Sequence, residues 1–193
     1  MAPLACAAAN LVAALALAFV LAPATPLVAD AAERERYVRE HLVAWRVGWA
    51  TWMLAGASLI WMYAWWRRRV GAPRWVLAIA IAGIAADWTA ELMLIVGAPG
   101  RYADVAPIAF FLTGAVANGL YTLAGIQLTL ATPLGLGARV YAALMWSAGL
   151  SLSAGAILAI PLVTAIASAE LFILFVPWCL WLWRHFRPRG LSA

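Results

Sequence analysis

The chain has 193 residues, of which 67% are hydrophobic and 11% are charged, and its mean hydropathy is +0.92. Soluble domains are about half apolar and about one quarter charged, so the composition excludes a soluble domain and indicates an integral membrane protein. All 13 basic residues are Arg, which excludes a Schiff-base lysine and lysine covalent catalysis. The net charge of +5 does not indicate nucleic-acid binding, because the Arg residues cluster at the predicted membrane edges.

Apolar segments with short polar connections predict an all-α, polytopic membrane bundle that forms a single domain over residues 1–193. Six transmembrane helices are expected, or five if the first segment is a cleaved signal peptide. That segment lacks a basic start and is longer than a signal peptide needs, so we expect it to be retained. The predicted helices cover about 5–28, 31–66, 75–97, 106–131, 138–160 and 162–183.

The charged stretch 30–42 runs into the second apolar segment without a Gly or Pro. Asp30 is a predicted N-terminal cap, and opposite charges follow at i,i+4 spacing in the pairs Glu35–Arg39 and Arg36–Glu40. We expect one helix that begins outside the membrane and continues into the second span. Its outer part is either a solvated extension or a surface that docks a partner or covers an outward-facing site.

The distribution of Arg predicts the orientation in the membrane. Eight Arg residues lie in the connections 66–74 and 132–139 and in the C-terminal tail, whereas acids dilute the Arg residues on the other side. The Arg-rich side is expected to be cytoplasmic. Heavy use of Ala and Arg without Lys is typical of a GC-rich bacterial genome, so the prediction is a multi-pass protein of the bacterial inner membrane with a cytoplasmic C-terminus.

Twelve Trp residues are present, and many fall near the ends of the predicted spans. Trp45, Trp49 and Trp52 follow helical spacing at one end of the second helix, and another group approaches the C-terminal Arg residues. This pattern predicts an interfacial aromatic belt on lipid-facing helices, in preference to a stacking platform for a ligand.

Three acids lie inside the predicted spans, where ionisable side chains are costly and usually face the bundle interior or a cavity. Two of them share one face of the third helix, and a rise of about 1.5 Å per residue gives the third acid a similar depth on the sixth helix. We therefore expect one intramembrane site that binds a ligand or an ion, with Ser147 and Ser151 as possible supports. Its candidate residues are Asp87, Glu91, Glu170, Asn118, Tyr121 and Thr122.

The sequence lacks the residue patterns of metal sites, cofactor sites and common catalytic motifs. His41 and His185 fall near opposite membrane faces, and Cys6 and Cys179 form no CxxC pair, so we predict no metal site and no cofactor. No Ser–His–acid arrangement, phosphate-binding Gly loop or HExxH motif is present. A non-enzymatic role is favoured, although catalysis stays open.

Three functions fit these residues. The first is binding or transport of a small molecule or cation within the bundle, with proton coupling through the acids as its concrete form; a homo-oligomer would supply the symmetry that transport needs. The second is a non-catalytic membrane subunit that docks partner proteins through its acids and the 30–42 helix. The third is an intramembrane enzyme, such as an isomerase, acting on a lipid-like substrate.

Overall fold

A computed structural model describes residues 1–28 and 30–187. Within these residues the chain is helical and contains no strand, which confirms the predicted all-α bundle. π-helical turns at Leu17–Leu21, Met93–Gly97 and Leu112–Ala117 and a 3₁₀ turn at Ala22–Ala24 extend or connect the α-helices. Arg189, one of the eight Arg residues that predict the orientation, lies outside the described residues. The helices are α1 (Ala2–Ala16), α2 (Ala31–Glu40), α3 (Leu42–Val70), α4 (Arg74–Leu92), α5 (Ala98–Phe111), α6 (Asn118–Leu130), α7 (Leu136–Ile157) and α8 (Pro161–His185).

Four helical segments among the described residues are long and apolar enough to cross a membrane: Ala2–Ala24, Arg74–Leu130, Leu136–Ile157 and Pro161–His185. The second has 57 residues, about 86 Å of helix, which is more than twice the thickness of a hydrocarbon core. Its backbone leaves helical geometry at Arg101 (φ −147°, ψ 43°), and α4 packs along α6. The segment therefore folds back on itself, and the connection predicted after residue 97 is a bend between helical turns.

The helices pack so that the connections gather at two ends of the bundle. The α2 end holds α2, the bend at Arg101 and the α7–α8 turn, and the Arg67 end holds the α3–α4 and α6–α7 connections. Each end has its own cluster of buried apolar side chains. The cluster at the α2 end includes Leu21, Val38, Trp45, Leu94 and Tyr102, and the cluster at the Arg67 end includes Cys6, Met62, Trp66, Trp178 and Leu182.

The single helix predicted over residues 31–66 is divided in the structure at His41 (φ −117°, ψ 33°). The predicted cap is present, since Asp30 Oδ1 accepts from the Ala32 N–H at 2.8 Å. Downstream, the Tyr37 hydroxyl donates to Val20 O at 2.7 Å and Val38 is fully buried. These tertiary contacts hold α2 against the end of the bundle, and the chain must turn at His41 before α3 can enter the core.

The aromatic-belt interpretation is wrong for four Trp residues, which are at most 3% exposed: Trp45, Trp49, Trp66 and Trp178. Two of them join helices through hydrogen bonds from their indole nitrogens. Trp45 Nε1 donates to Leu94 O at 2.8 Å, and Trp66 Nε1 donates to Thr132 Oγ1 at 2.9 Å. The position of a residue along a helix gives the depth of its side chain but not whether that side of the helix faces lipid or protein. The sequence therefore could not show that these four Trp residues are buried.

Candidate functional site

Asp87 lies in the middle of the bundle and is only 3% exposed. Its Oδ1 accepts a hydrogen bond from the Thr113 hydroxyl, and its Oδ2 accepts one from the Tyr121 hydroxyl at 2.9 Å. The Tyr63 hydroxyl donates to Tyr121 O at 3.0 Å. The carboxyl group of Asp87 therefore links α4 to the π turn Leu112–Ala117 and to α6, and α3 supports the same network.

Close helix packing brings Tyr121 to Asp87. A Cβ at Gly83, one turn before Asp87 on α4, would lie 2.8 Å from Tyr121 Cε1 and 3.2 Å from Ala117 O. A larger residue would push α6 away from α4, because a backbone oxygen cannot move independently of its helix. Gly83 is therefore required for the Tyr121–Asp87 hydrogen bond, as expected for small residues at membrane helix interfaces.

The π turn explains how Thr113 reaches the same carboxyl group as Tyr121. The two residues are eight positions apart, which in a regular α-helix places them about 80° apart around the axis. One extra residue in a π turn reduces that difference to about 20° in the opposite sense. Sequence reasoning based on regular helices missed Thr113 for this reason, and the π turn creates the two-hydroxyl arrangement.

Asn118 and Thr122 form the neighbouring part of the site on α6. Asn118 Nδ2 donates to Gly149 O at 2.7 Å and to Ser153 Oγ at 2.9 Å, which joins α6 to α7. Thr122 is 1% exposed. Ser147 and Ser151 are exposed on α7, so Ser153 is the serine that supports Asn118. A signal for Ser153 existed in the sequence: it lies four residues after Gly149, on the small-residue face of the helix.

Glu91 is fully buried one turn beyond Asp87, and neither of its side-chain oxygens has a hydrogen-bond partner among the described residues. Bonds from Trp45 to Leu94 O and from Trp88 to Met53 O set the antiparallel register of α3 and α4. This register places Trp49 opposite Glu91. The buried Trp49 Nε1 also lacks a partner among the described residues, so two unpaired polar groups occur at one level of the α3–α4 interface.

Glu170 is separate from the other candidates. It is exposed on α8 and does not line the cavity described below. No group of three or more His, Cys, Asp or Glu side chains that could hold a metal ion is found within the described residues. The structure therefore brings together Asp87, Asn118, Tyr121 and Thr122, with Glu91 buried behind them.

A cavity of about 1010 Å³ lies next to the Asp87 network. One part of its wall is polar and contains Asp87, Thr113, Asn118, Tyr121 and Thr122. Most of the remaining wall is apolar or aromatic and includes Leu17, Trp49, Trp52, Phe110 and Phe172. A mostly apolar chamber with a few polar groups in its wall is the usual composition of a small-molecule site.

The cavity extends from Asp87 toward the α2 end. Arg34 on α2 also lines it, and its guanidinium lies 5.8 Å from the centre of the Tyr102 ring. Phe111, Ile157 and Ile160 are lining side chains that are also exposed, so the cavity opens to the surface between α5 and the α7–α8 turn. A molecule entering there would meet Asp87 at the inner wall.

Fold and site together define a class: a helical bundle with helices long enough to cross a membrane and a mostly apolar cavity that contains the Asp87 network in its wall. The chain matches no protein-family model, no curated protein and no solved structure.

Replacing Glu91 and Asn118 by Leu should have opposite effects on stability. An unpaired buried polar group costs about 1–3 kcal/mol, so Glu91→Leu is expected to raise the free energy of unfolding. Asn118→Leu removes the donor to Gly149 O and Ser153 Oγ and should lower it by about 1–3 kcal/mol. Thermal unfolding of both variants in one detergent checks this, and equal losses would mean that Glu91 has a stabilising partner.

Proposed function

We propose that the protein binds a small amphipathic molecule in the cavity, with the polar end of that molecule at Asp87, as a step in transport across a membrane. The observation that carries the proposal is the single chamber of about 1010 Å³ that connects an apolar interior to the Asp87 carboxyl group. Its volume is at the upper end of the range for ligand sites, about 300–1,000 Å³. A molecule with an apolar body of ten or more carbons fits such a space.

Asp87 favours a cationic or hydrogen-bond-donating end on this molecule. Its oxygens accept from two hydroxyl groups, and a carboxylate has about four acceptor positions, so further positions are available for a donor from the ligand. The aromatic side chains of Trp49 and Trp52 line the same chamber and would contact the apolar part. An ammonium group on an alkyl chain is complementary to Asp87 and to the apolar side chains of the wall.

The direction of entry follows from the proposed orientation. With the Arg-rich connections and the C-terminus in the cytoplasm of a bacterial cell, the α2 end faces the outer side of the inner membrane. The chamber then opens toward the periplasm or the outer leaflet, and Asp87 lies about 15 Å below Gly97, the last residue of the π turn that continues α4. The proposed step is capture of the molecule from that side.

Decylamine is a suitable probe because it combines an ammonium group with a ten-carbon chain. We expect one saturable decylamine per chain by native mass spectrometry of the protein in detergent. Ser168→Trp should weaken this binding, because Ser168 lines the chamber and an indole there would occupy part of the space beside the probe. Leu162→Trp is the matched control, since Leu162 is 65% exposed on the same helix and does not line the chamber.

Two results would contradict the proposal. One is decylamine binding that never saturates, which indicates adsorption to the apolar surface. The other is equal binding by the Ser168→Trp and Leu162→Trp variants, which places the probe outside the chamber.

A further inference from the structure

Two side chains of opposite charge line the chamber within the part of the chain that the structure describes, namely Asp87 and Arg34. The other lining residues there are neutral. Asp87 lies at the inner wall on α4, whereas Arg34 belongs to α2 at the α2 end of the bundle. A charge beside a mostly apolar chamber is costly unless a counter-charge compensates it, so the partner of Arg34 has to be identified.

Arg34 forms no ion pair with an acid of the described chain. The two ion pairs found there join Arg39 to Glu35 and Arg101 to Asp104. Arg34 is half-buried, and its Nε atom is buried without a hydrogen-bond partner among the described residues. Because a guanidinium group stays ionised in proteins, an anion from outside the chain is the group that completes this position.

Contacts of α2 and Tyr102 hold the Arg34 guanidinium at the chamber wall. The guanidinium lies 5.8 Å from the centre of the Tyr102 ring, and the Tyr102 hydroxyl donates to Ala24 O. The Tyr37 hydroxyl fixes α2 by donating to Val20 O at 2.7 Å. A guanidinium group held in this way can bind a carboxylate through two parallel N–H···O bonds.

The separation of the two charges follows from the helix that runs between them. Tyr102 marks the level of Arg34. Thr113 donates to Asp87 and marks its level. Tyr102 and Thr113 are eleven positions apart on α5 and the π turn that follows it, which corresponds to about 16 Å along the bundle. An extended chain of twelve carbons reaches about 14 Å, and a polar contact of about 3 Å at each end makes it long enough to join the two charges.

We propose that the molecule bound in the chamber is a long-chain zwitterion, with its ammonium end at Asp87 and its anionic end at Arg34. This inference rests on the proposed function and adds to it a second charge on the ligand and the spacing between its charges. The apolar wall contacts the chain between the two ends. A simple alkylamine fills the same space but leaves Arg34 without a counter-charge.

The probes 12-aminododecanoate and dodecylamine test the proposal, because they have the same number of carbons and differ in the carboxylate. Native mass spectrometry of the protein in detergent gives both affinities, and 12-aminododecanoate should bind the wild type at least as tightly as dodecylamine. Arg34→Gln should weaken 12-aminododecanoate about 10- to 100-fold, the usual effect of losing a hydrogen bond to a charged group. It should change dodecylamine by less than about threefold, since that probe has no group for Arg34.

Arg36→Gln is the matched control, because Arg36 is exposed on the same helix and does not line the chamber. It removes the same charge and should leave both affinities unchanged. The thermal unfolding midpoint verifies that both variants are folded. Chain length gives a second test, on the wild type alone: 6-aminohexanoate reaches only about 7 Å, so it should bind more weakly than hexylamine.

Four results would overturn the proposal while leaving the proposed function in place. They are dodecylamine binding without 12-aminododecanoate binding, equal weakening of both probes by Arg34→Gln, equal weakening of 12-aminododecanoate by Arg36→Gln, and tighter binding of 6-aminohexanoate than of hexylamine. If the wild type binds neither dodecylamine nor 12-aminododecanoate, the proposed function itself is wrong and this inference is wrong with it.

Discussion

Asp87→Asn is expected to weaken decylamine binding about 10- to 100-fold while leaving the fold intact. A hydrogen bond to a charged group contributes about 1.5–3 kcal/mol, and each 1.4 kcal/mol is about a factor of ten in affinity. Asn has nearly the same shape as Asp and keeps one oxygen that can accept from Tyr121 or Thr113. The change therefore removes the charge at the inner wall and little else.

Decanol distinguishes the loss of charge from damage to the chamber, because it has the same chain with an uncharged end. Its binding should change less than about threefold in Asp87→Asn, since a neutral hydrogen bond contributes only about 1 kcal/mol and Asn still offers one. Competition between the two probes, followed by native mass spectrometry, gives both affinities in one sample. Asp104→Asn is the matched control, as Asp104 is exposed and pairs with Arg101 at 3.3 Å.

If decylamine binds equally to the wild type and to Asp87→Asn, then Asp87 does not hold the polar end of the molecule. If Asp104→Asn weakens decylamine as strongly as Asp87→Asn, the effect comes from the net charge of the protein surface. If Asp87→Asn binds neither decylamine nor decanol and its unfolding midpoint is lowered, then Asp87 has a structural role between α4 and α6.

Sequence reasoning located part of this site because a regular helix has a predictable face. Gly83, Asp87 and Glu91 recur every four residues on α4, and Asn118 and Tyr121 fall within one turn on α6. These spacings predict which residues share a helix face, and the prediction does not depend on how the neighbouring helices pack. Thr113 required the π turn Leu112–Ala117, which changes the phase of the helix by one residue and leaves no simple mark in the sequence.

Depth was predictable for Glu170, but direction was not. The rise per residue gives how far a side chain lies from the end of its helix, and Glu170 and Asp87 agree in that respect. The rotation of α8 about its axis depends on which of its faces packs best against α1 and α7. Many side-chain contacts together determine this rotation, and they leave Glu170 on the exposed side. A similar limit applies to Trp45 and Trp66, whose buried hydrogen-bond acceptors lie 49 and 66 residues away along the chain.

Gly125→Ala is expected to destabilise the bundle by about 1–3 kcal/mol, the usual cost of overpacking a filled core. A Cβ at Gly125 would lie 2.6 Å from Cζ2 and 2.8 Å from Cζ3 of Trp146. The indole cannot simply withdraw, because its Nε1 donates to Thr129 Oγ1 at 2.9 Å and the Thr129 hydroxyl donates back to Gly125 O at 2.8 Å. One added methyl group therefore forces either the indole or α6 to move.

Gly137→Ala is the matched control, since Gly137 lies in the first turn of α7 and a Cβ there has no neighbouring atom within 4 Å. Helix propensity favours Ala over Gly by about 1 kcal/mol, so this variant should be neutral or more stable. Thermal unfolding in detergent, followed by Trp fluorescence, compares the two substitutions directly. Because Trp146 also lines the chamber, Gly125→Ala should weaken decylamine and decanol binding together, unlike Asp87→Asn. Equal unfolding midpoints for Gly125→Ala and Gly137→Ala would show that the α6–α7 interface is looser than these contacts require.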